Sequence, residues 1–199
     1  FGTFSNAGYF NYQAQFGTYF KEQKNYRSTF RIDGTYFSPL RNSGKVDLRH
    51  FLSQTLVIGS NRNATLADRV NISERSEFPD FNSNYVGNDK LILRYQLQLF
   101  ILKSWKNFQL NPYFTTAAGW LSTAEKPLFS SRTYTKFGVG IYLYNPYLAF
   151  NRFQVSLVYY PKIPFENRIL DINGYKNYCM PINNFVVGQP QVVNYNTWR

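Results

Sequence analysis

The sequence predicts an all-β protein, an antiparallel transmembrane β-barrel with about eight strands in this chain. Three observations lead to this prediction. One alternating run is long enough to cross a bilayer as a strand, and the composition favours strands over helices. The predicted connections also alternate between short turns and longer loops, which is typical of barrels with short turns on one side of the membrane. A soluble all-β protein would predict neither the long strand nor the alternating connections.

The run 90–102 provides the first observation. Its apolar residues recur at every second position and so fall on one face of a strand, namely Leu91, Leu93, Tyr95, Leu97, Leu99 and Ile101. Arg94, Gln96 and Gln98 lie in the middle of the other face. The run has about 13 residues, whereas an ordinary strand has about 5–6 and a tilted membrane-spanning strand needs about 9–11.

Composition and charge narrow the class of protein further. Aromatic residues form 20% of the chain and are enriched in strands, and no apolar run reaches the roughly 18 residues of a membrane helix. The net charge is +11, but the basic residues are spread along the chain, so we predict no nucleic-acid partner. Two explanations of the charge stay open: a general solubility charge, and a basic lumen and rim facing anionic lipid headgroups.

No residue pattern in the sequence predicts catalysis. Cys179 is the single cysteine, which excludes an internal disulfide and a CxxC metal site. His50 is the single histidine and has no cysteine or carboxylate cluster beside it in sequence, so we expect a structural role. Arg31 and Asp33 share a face, and we expect them to form a salt bridge. We therefore predict that the covered chain is not an enzyme and needs no cofactor and no metal.

Eight strands are predicted from the alternation, and the turn at 41–44 is predicted from its Asn, Ser and Gly. Their approximate bounds are 8–20, 26–40, 45–60, 90–102, 108–121, 133–144, 153–160 and 183–189. In the third strand His50 and Gln54 share the apolar face, so either a bulge shifts the register or protein covers the wall there. The longer connections 61–88, 122–132 and 161–182 are expected outside the cell, with the short turns and the C-terminus in the periplasm.

The alternation assigns side chains to the two faces of the predicted barrel wall. The residues predicted to face the lumen are Arg31, Asp33, Arg94, Gln96, Gln98, Gln109 and Lys136. The residues predicted to face lipid are Leu91, Leu93, Leu97, Leu99, Phe137, Val139, Ile141, Val155 and Leu157.

Five segments, in order, resemble the C-terminal half of the barrel of the BamA/TamA and two-partner-secretion transporter superfamily. A long loop precedes Val86-Gly-Asn, and the strand 90–102 follows it. The segment Phe114-Thr-Thr-Ala-Ala-Gly-Trp is similar to the family's Phe-x-Asp-x-Gly. The segment 137–146 is similar to its Gly-x-Gly strand ending in Pro, and 155–161 to its penultimate strand. Phe185-Val-Val-Gly-Gln-Pro resembles the closing segment.

The resemblance implies that residues 1–199 form the C-terminal part of an outer-membrane β-barrel domain of sixteen strands, located in the bacterial outer membrane. It implies a role in inserting or exporting polypeptides across that membrane. The partners would be outer-membrane lipid, lipopolysaccharide, and a polypeptide substrate or accessory subunits of a membrane complex. Two alternatives are a barrel that anchors a separate periplasmic or surface domain, and a small self-contained barrel that binds a ligand. Because Phe1 is not a natural start, we expect the chain to be a fragment or a processed product.

The chain departs from the family pattern at the long loop. In the family this loop carries Arg-Gly-Phe, whose Arg tucks into the lumen against an Asp of the next-but-one strand. No Arg-Gly-Phe occurs in 61–88, and the Asp position is Ala117. Both residues of the family's ion pair are thus missing, and Arg75 is the best remaining candidate for a tucked arginine. We therefore expect 61–88 to cap the outer mouth of the barrel or to pack on a partner. We do not expect it to reach the strand 108–121.

Overall fold

A computed structural model describes residues 2–21, 24–60, 69–72, 78, 86–123, 126–131, 133–145, 147, 152–161 and 170–173. The strands are β1 (Gly2–Ser5), β2 (Gly8–Lys21), β3 (Lys24–Phe37), β4 (Arg41–Ser43), β5 (Val46–Ser60), β6 (Val70–Asn71), β7 (Val86–Gly87), β8 (Lys90–Ile101), β9 (Gln109–Leu121), β10 (Thr133–Tyr144), β11 (Arg152–Tyr159) and β12 (Leu170–Asn173). A 3₁₀ turn, Leu128–Ser130, lies between β9 and β10. Across these ranges no helix is long and apolar enough to span a bilayer.

Ten of these strands form one sheet, in the order β1-β2-β3-β5-β8-β9-β10-β11-β12, with β4 paired to β5 beside this path. Every pairing is antiparallel, and β6 and β7 form a separate hairpin. The predicted all-β, antiparallel class is therefore confirmed. The sheet ends at β1 and β12, and no pairing joins these two strands to each other.

The predicted strands differ from the observed ones mainly near turns. The strand predicted at 133–144 coincides with β10, but the turn predicted at 41–44 begins as β4, because residues 41–43 pair back onto β5. The connection predicted at 161–182 contains β12, which pairs with β11. The short strand β1 was not predicted at all. The strand predicted at 183–189 lies outside the described residues.

The third predicted strand, β5, runs without a bulge. Its pairing with β8 is continuous through both His50 and Gln54, and its pairing with β3 is continuous from Phe51 through Gln54, so the explanation by a register shift is wrong. His50 lies on the same face as Leu52, and its Nδ1 is 2.9 Å from the hydroxyl oxygen of Tyr95 on the neighbouring strand. This hydrogen bond satisfies two polar groups on a mostly apolar face, and burial without one would be costly.

The two faces of the sheet have opposite character. The polar face carries buried polar side chains from five strands, among them Thr55, Gln96, Thr115, Lys136, Gln154 and Ser156. The apolar face carries exposed hydrophobic side chains from seven strands, among them Phe16, Phe30, Leu52, Ile58, Leu93, Phe114, Phe137, Val139, Ile141, Val155, Leu157 and Tyr159. Gln96 and Lys136 are each 5% exposed, whereas Val139 is 52% exposed. The polar face also carries buried apolar side chains, among them Val57, Ile92, Tyr113 and Val158. The exposed face is apolar, which is unusual for a water-soluble sheet.

Candidate functional site

The register places all seven predicted lumen residues on the polar face. Arg94, Ala117 and Lys136 form one row across β8, β9 and β10, and Gln96 and Thr115 form the next row. Gln98 is half-buried in the row after that, and Gln109 is exposed at the start of β9. The pairing therefore brings Arg94 and Lys136 to either side of one small residue. Whether this face meets a lumen stays a prediction.

The expected ion pair between Arg31 and Asp33 is present on the polar face of β3. The Arg31 guanidinium donates to both carboxylate oxygens, with Nε–Oδ2 and Nη2–Oδ1 distances of 2.5 and 2.9 Å. The hydroxyl of Thr55, which is paired with Asp33 across β5, also donates to Oδ1 at 2.8 Å. A two-pronged ion pair with a third donor is geometrically specific, so it fixes both side chains on this face.

A second polar cluster links β9 and β11 across β10. The Gln154 amide donates to the Tyr113 hydroxyl over 2.6 Å, and both side chains are buried. The cluster fits because β10 contributes Gly140 between them: a Cβ there would meet the Tyr113 ring at 2.5 Å. The ring of Tyr142 lies 4.6 Å from that of Tyr113, centroid to centroid. This part of the polar face is packed rather than open.

The described side chains of the polar face carry an excess of positive charge. The basic ones are Arg27, Arg31, Arg49, Lys90, Arg94 and Lys136, and the acidic ones are Asp33 and Asp47. Lys136 lies over the Tyr160 ring with its Nζ 5.9 Å from the centroid, and the Arg49 guanidinium lies 5.3 Å from the Phe37 centroid. A surface of this kind attracts anionic groups and water.

The connection between β5 and β8 docks on the polar face, contrary to our expectation. Ile72 and Phe78 are fully buried, in a cluster with Ile92, Ala117, Leu121, Val158 and Tyr160. The prediction that 61–88 would not reach the strand 108–121 is therefore wrong. The contact is apolar, so it needs no buried arginine. Arg69 is exposed, and Arg75 lies outside the described residues.

Gly119 explains why the connection can approach β9 so closely. A Cβ at this position would lie 3.0 Å from Ile72 Cδ1 and 3.0 Å from Phe78 Cε2. Beside this contact Lys90, only 1% exposed, donates from Nζ to the backbone oxygen of Asn71 at 3.0 Å. The ammonium group thus satisfies a carbonyl of the connection in a place that water hardly reaches.

Asp89 joins three strand ends at the same end of the sheet. Its carboxylate accepts from the backbone N–H of Gly59 at 2.9 Å and from the Ser122 hydroxyl at 2.8 Å. The Asp89 N–H donates to the same hydroxyl oxygen at 2.8 Å. Next to it Gly87 lets β7 approach β9, since a Cβ there would lie 2.4 Å from the Ser122 carbonyl oxygen.

We predict that Asp89→Ala lowers the free energy of unfolding by about 1–3 kcal/mol, because it leaves partly buried donors without an acceptor. Urea unfolding of the refolded chain measures this. Asp89→Asn is the matched control: it keeps one oxygen as an acceptor and is expected to lose less. Equal stability of Asp89→Ala and the parent would contradict the role given to this carboxylate.

The nine predicted lipid-facing residues all lie on the apolar face by register. Six are exposed, and Leu91, Leu97 and Leu99 are half-buried. Contact with lipid stays a prediction for all nine. His50, Gln54 and Tyr95 are the polar or partly polar residues that interrupt this face on β5 and β8.

The described residues contain no group of three histidine, cysteine or acidic side chains that could hold a metal ion. No protein-family model matches the chain, and no curated protein or solved structure shows a significant match.

Sequence reasoning missed the docking residues Ile72 and Phe78 and the strand-joining carboxylate of Asp89. The available signal was the presence of isolated apolar residues in a connection otherwise rich in charges. Such residues have little reason to be there unless they are buried. For Asp89 the signal was weaker, a polar residue directly before a strand.

Proposed function

We propose that this chain forms part of the wall of a transmembrane β-barrel in the bacterial outer membrane. The single observation that carries the proposal is the exposed apolar face. Polar side chains such as Gln96 and Lys136 are buried on the other face, while aromatic and aliphatic side chains are exposed along seven neighbouring strands. A soluble monomer rarely exposes so continuous an apolar surface, whereas a barrel wall presents one to lipid.

The lengths of the central strands support the same proposal. Strands β2, β3, β5, β8, β9 and β10 have 12 to 15 residues, enough for the roughly 9–11 residues of a tilted membrane crossing. Backbone groups in hydrocarbon need hydrogen-bond partners, so the two ends of the described sheet would have to be covered or joined in the membrane. Closure by further strands, up to sixteen in all, belongs to this proposal.

For the activity of the barrel we propose insertion or export of polypeptides. The docked connection favours this over a bare anchor, because it covers the polar face at one end and so would restrict the interior of a barrel. Such a segment can control the passage of a polypeptide, whereas a barrel that only anchors another domain does not require this control. Four of the five segments that resemble the transporter superfamily also fall on or directly before the adjacent strands β8, β9, β10 and β11.

We expect cysteines on the two faces to react with different reagents after the chain is refolded into vesicles. Gln13→Cys and Gln98→Cys on the polar face, which are exposed and half-buried, should react with a charged, water-borne maleimide. Leu93→Cys and Val139→Cys on the apolar face should react only with a maleimide confined to the lipid phase. The background is Cys179→Ser, because Cys179 is the one native thiol.

The control is the labelling of the same variants unfolded in urea, where all four thiols should react with both reagents. The reverse pattern in vesicles would contradict a barrel wall with this orientation. Equal reaction of all four thiols with the water-borne reagent would contradict membrane insertion itself.

Polypeptide insertion is tested by adding an unfolded outer-membrane barrel protein to vesicles that contain the refolded chain. Its folding, followed by gel migration, should be faster than in empty vesicles. A variant with the docked connection released, Ile72→Ala with Phe78→Ala, should change that rate, whereas the exposed-residue control Phe129→Ala should not. No acceleration by the parent chain would contradict the transport activity but leave the barrel proposal standing.

A further inference from the structure

Four exposed basic residues lie together at one end of the sheet. This end holds the turns β1–β2, β3–β5, β8–β9 and β10–β11, and its described exposed charges are all basic: Arg41, Lys45, Lys103 and Lys106. The one carboxylate near this end, Asp47, is buried and accepts from the Asn42 amide at 2.8 Å. The described carboxylate of Asp89 lies at the opposite end, where it accepts from the Gly59 N–H and the Ser122 hydroxyl. We call the first end the basic end.

The four basic residues of the basic end lie in two neighbouring turns. The N–H of Leu102 donates to the carbonyl of Lys45 at 3.3 Å, which holds the β8–β9 turn beside the turn that enters β5. Trp105 and Phe108 exchange both backbone hydrogen bonds, at 2.9 and 2.8 Å, and close a two-residue turn. The sequence therefore separates these charges along the chain, but the pairing of β5 with β8 brings them together.

The tip of the β8–β9 turn has a fixed shape. Lys106 and Asn107 both have positive φ, 46° and 67°, which is the conformation that two-residue hairpins require at both central positions. The Nζ of Lys106 lies 5.5 Å from the Trp105 ring centroid, in cation–π range. Trp105 and Leu102 are 63% and 57% exposed. An apolar ring and an apolar side chain thus lie directly beside ammonium groups.

We propose that the basic end binds the phosphate headgroups of anionic phospholipids in the membrane surface. The proposal rests on the membrane location proposed above and names the partner of one end of that barrel. Clustered Lys and Arg attract anionic headgroups, and exposed Trp with Lys beside it suits the boundary between hydrocarbon and headgroups. A protein partner would not need the apolar groups and the charges in one narrow band at the strand ends.

The carboxylate of Asp47 is held away from solvent within this band. An exposed carboxylate in this band would repel the headgroups and compete for the lysines. Its hydrogen bond to Asn42 and its burial remove it from the surface. Phospholipid binding therefore needs only the four exposed cations and the two apolar residues beside them.

The experiment measures which lipids surround Trp105 in the inserted chain. Trp120→Phe and Trp198→Phe leave Trp105 as the one tryptophan, and energy transfer to dansyl-phosphatidylglycerol is compared with transfer to dansyl-phosphatidylcholine in phosphatidylcholine vesicles. We expect phosphatidylglycerol to be enriched at least fivefold, because one basic residue near a membrane surface is worth roughly a fivefold change in binding. The enrichment should fall at high salt.

The test variant is Arg41→Gln, Lys45→Gln, Lys103→Gln and Lys106→Gln, and it should reduce the enrichment to near one. The matched control removes four charges from the opposite end, Lys21→Gln, Lys24→Gln, Arg69→Gln and Lys126→Gln, and should keep the enrichment. Insertion is first checked for each protein in the Cys179→Ser background by protection of Val139→Cys from a water-borne maleimide.

Three outcomes would overturn the proposal. Insertion without enrichment in the parent would overturn headgroup binding and leave the membrane barrel standing. An equal loss of phosphatidylglycerol enrichment in the test and control variants would show that net charge, and not the basic end, attracts the lipid. Failure of every protein to insert would overturn the membrane barrel and this inference together.

Discussion

Val139→Arg should cost about 2–4 kcal/mol of the free energy of folding into vesicles, the price of an arginine on the lipid face near the bilayer midplane. Val139 lies in the middle of β10 on the apolar face, and it is 52% exposed. Its cross-strand neighbours are Phe114 and Leu157, both apolar and exposed. No acidic side chain is paired with it that would offset the charge. Urea titration of vesicle-inserted protein gives the difference directly.

The matched control for this change is Thr133→Arg. Thr133 is on the same face of the same strand, at its end, where an arginine can reach the headgroups and should cost only about 0–1 kcal/mol. If the two variants lose the same stability, or if Val139→Arg is neutral, the apolar face does not meet lipid.

The second large effect is expected from Phe78→Ala. The ring is fully buried against Gly119 and the apolar cluster that includes Ile72. Removing a buried phenyl ring costs about 3–5 kcal/mol of stability. We expect this change to destabilise the contact between the connection and the sheet rather than the sheet itself. We therefore expect faster amide hydrogen exchange at 69–72 and at 86–87, with the exchange in β8 and β9 changed much less.

Phe129→Ala provides the control for this experiment, because that ring is 79% exposed and its removal should leave exchange unchanged. A second variant, Gly119→Val on β9, should disrupt the same contact, because its methyl groups would occupy the space of Ile72 and Phe78. If neither Phe78→Ala nor Gly119→Val speeds exchange in the connection, the apolar contact does not hold it.

The strands and their faces could be predicted because a period of two is a strong local signal. In β8 the alternation from Leu91 to Ile101 predicts both the strand and the face on which each side chain lies. It does not predict the register, which depends on the neighbouring strands β5 and β9. The ion pair of Arg31 and Asp33 followed from the same rule, since residues two apart share a face.

The docking of the 61–88 connection could not be predicted in this way. Its contact with β9 joins residues such as Phe78 and Gly119 that are far apart in sequence, and no period links them. Our expectation depended on a charged pair that the chain lacks, and it overlooked that apolar residues can make the same contact without charge. The short strands β1 and β4 were missed because a strand of three or four residues carries too few alternations to be detected.

The way in which Ile72 and Phe78 hold the connection determines which conditions can release it. A segment held by an arginine–carboxylate pair would loosen as ionic strength rises, because salt screens charges. A segment held by apolar burial responds in the opposite way: sulfate strengthens it, and cooling weakens it, because the hydrophobic contribution declines at low temperature. We therefore expect sulfate to strengthen the docked position of the connection and cooling to weaken it.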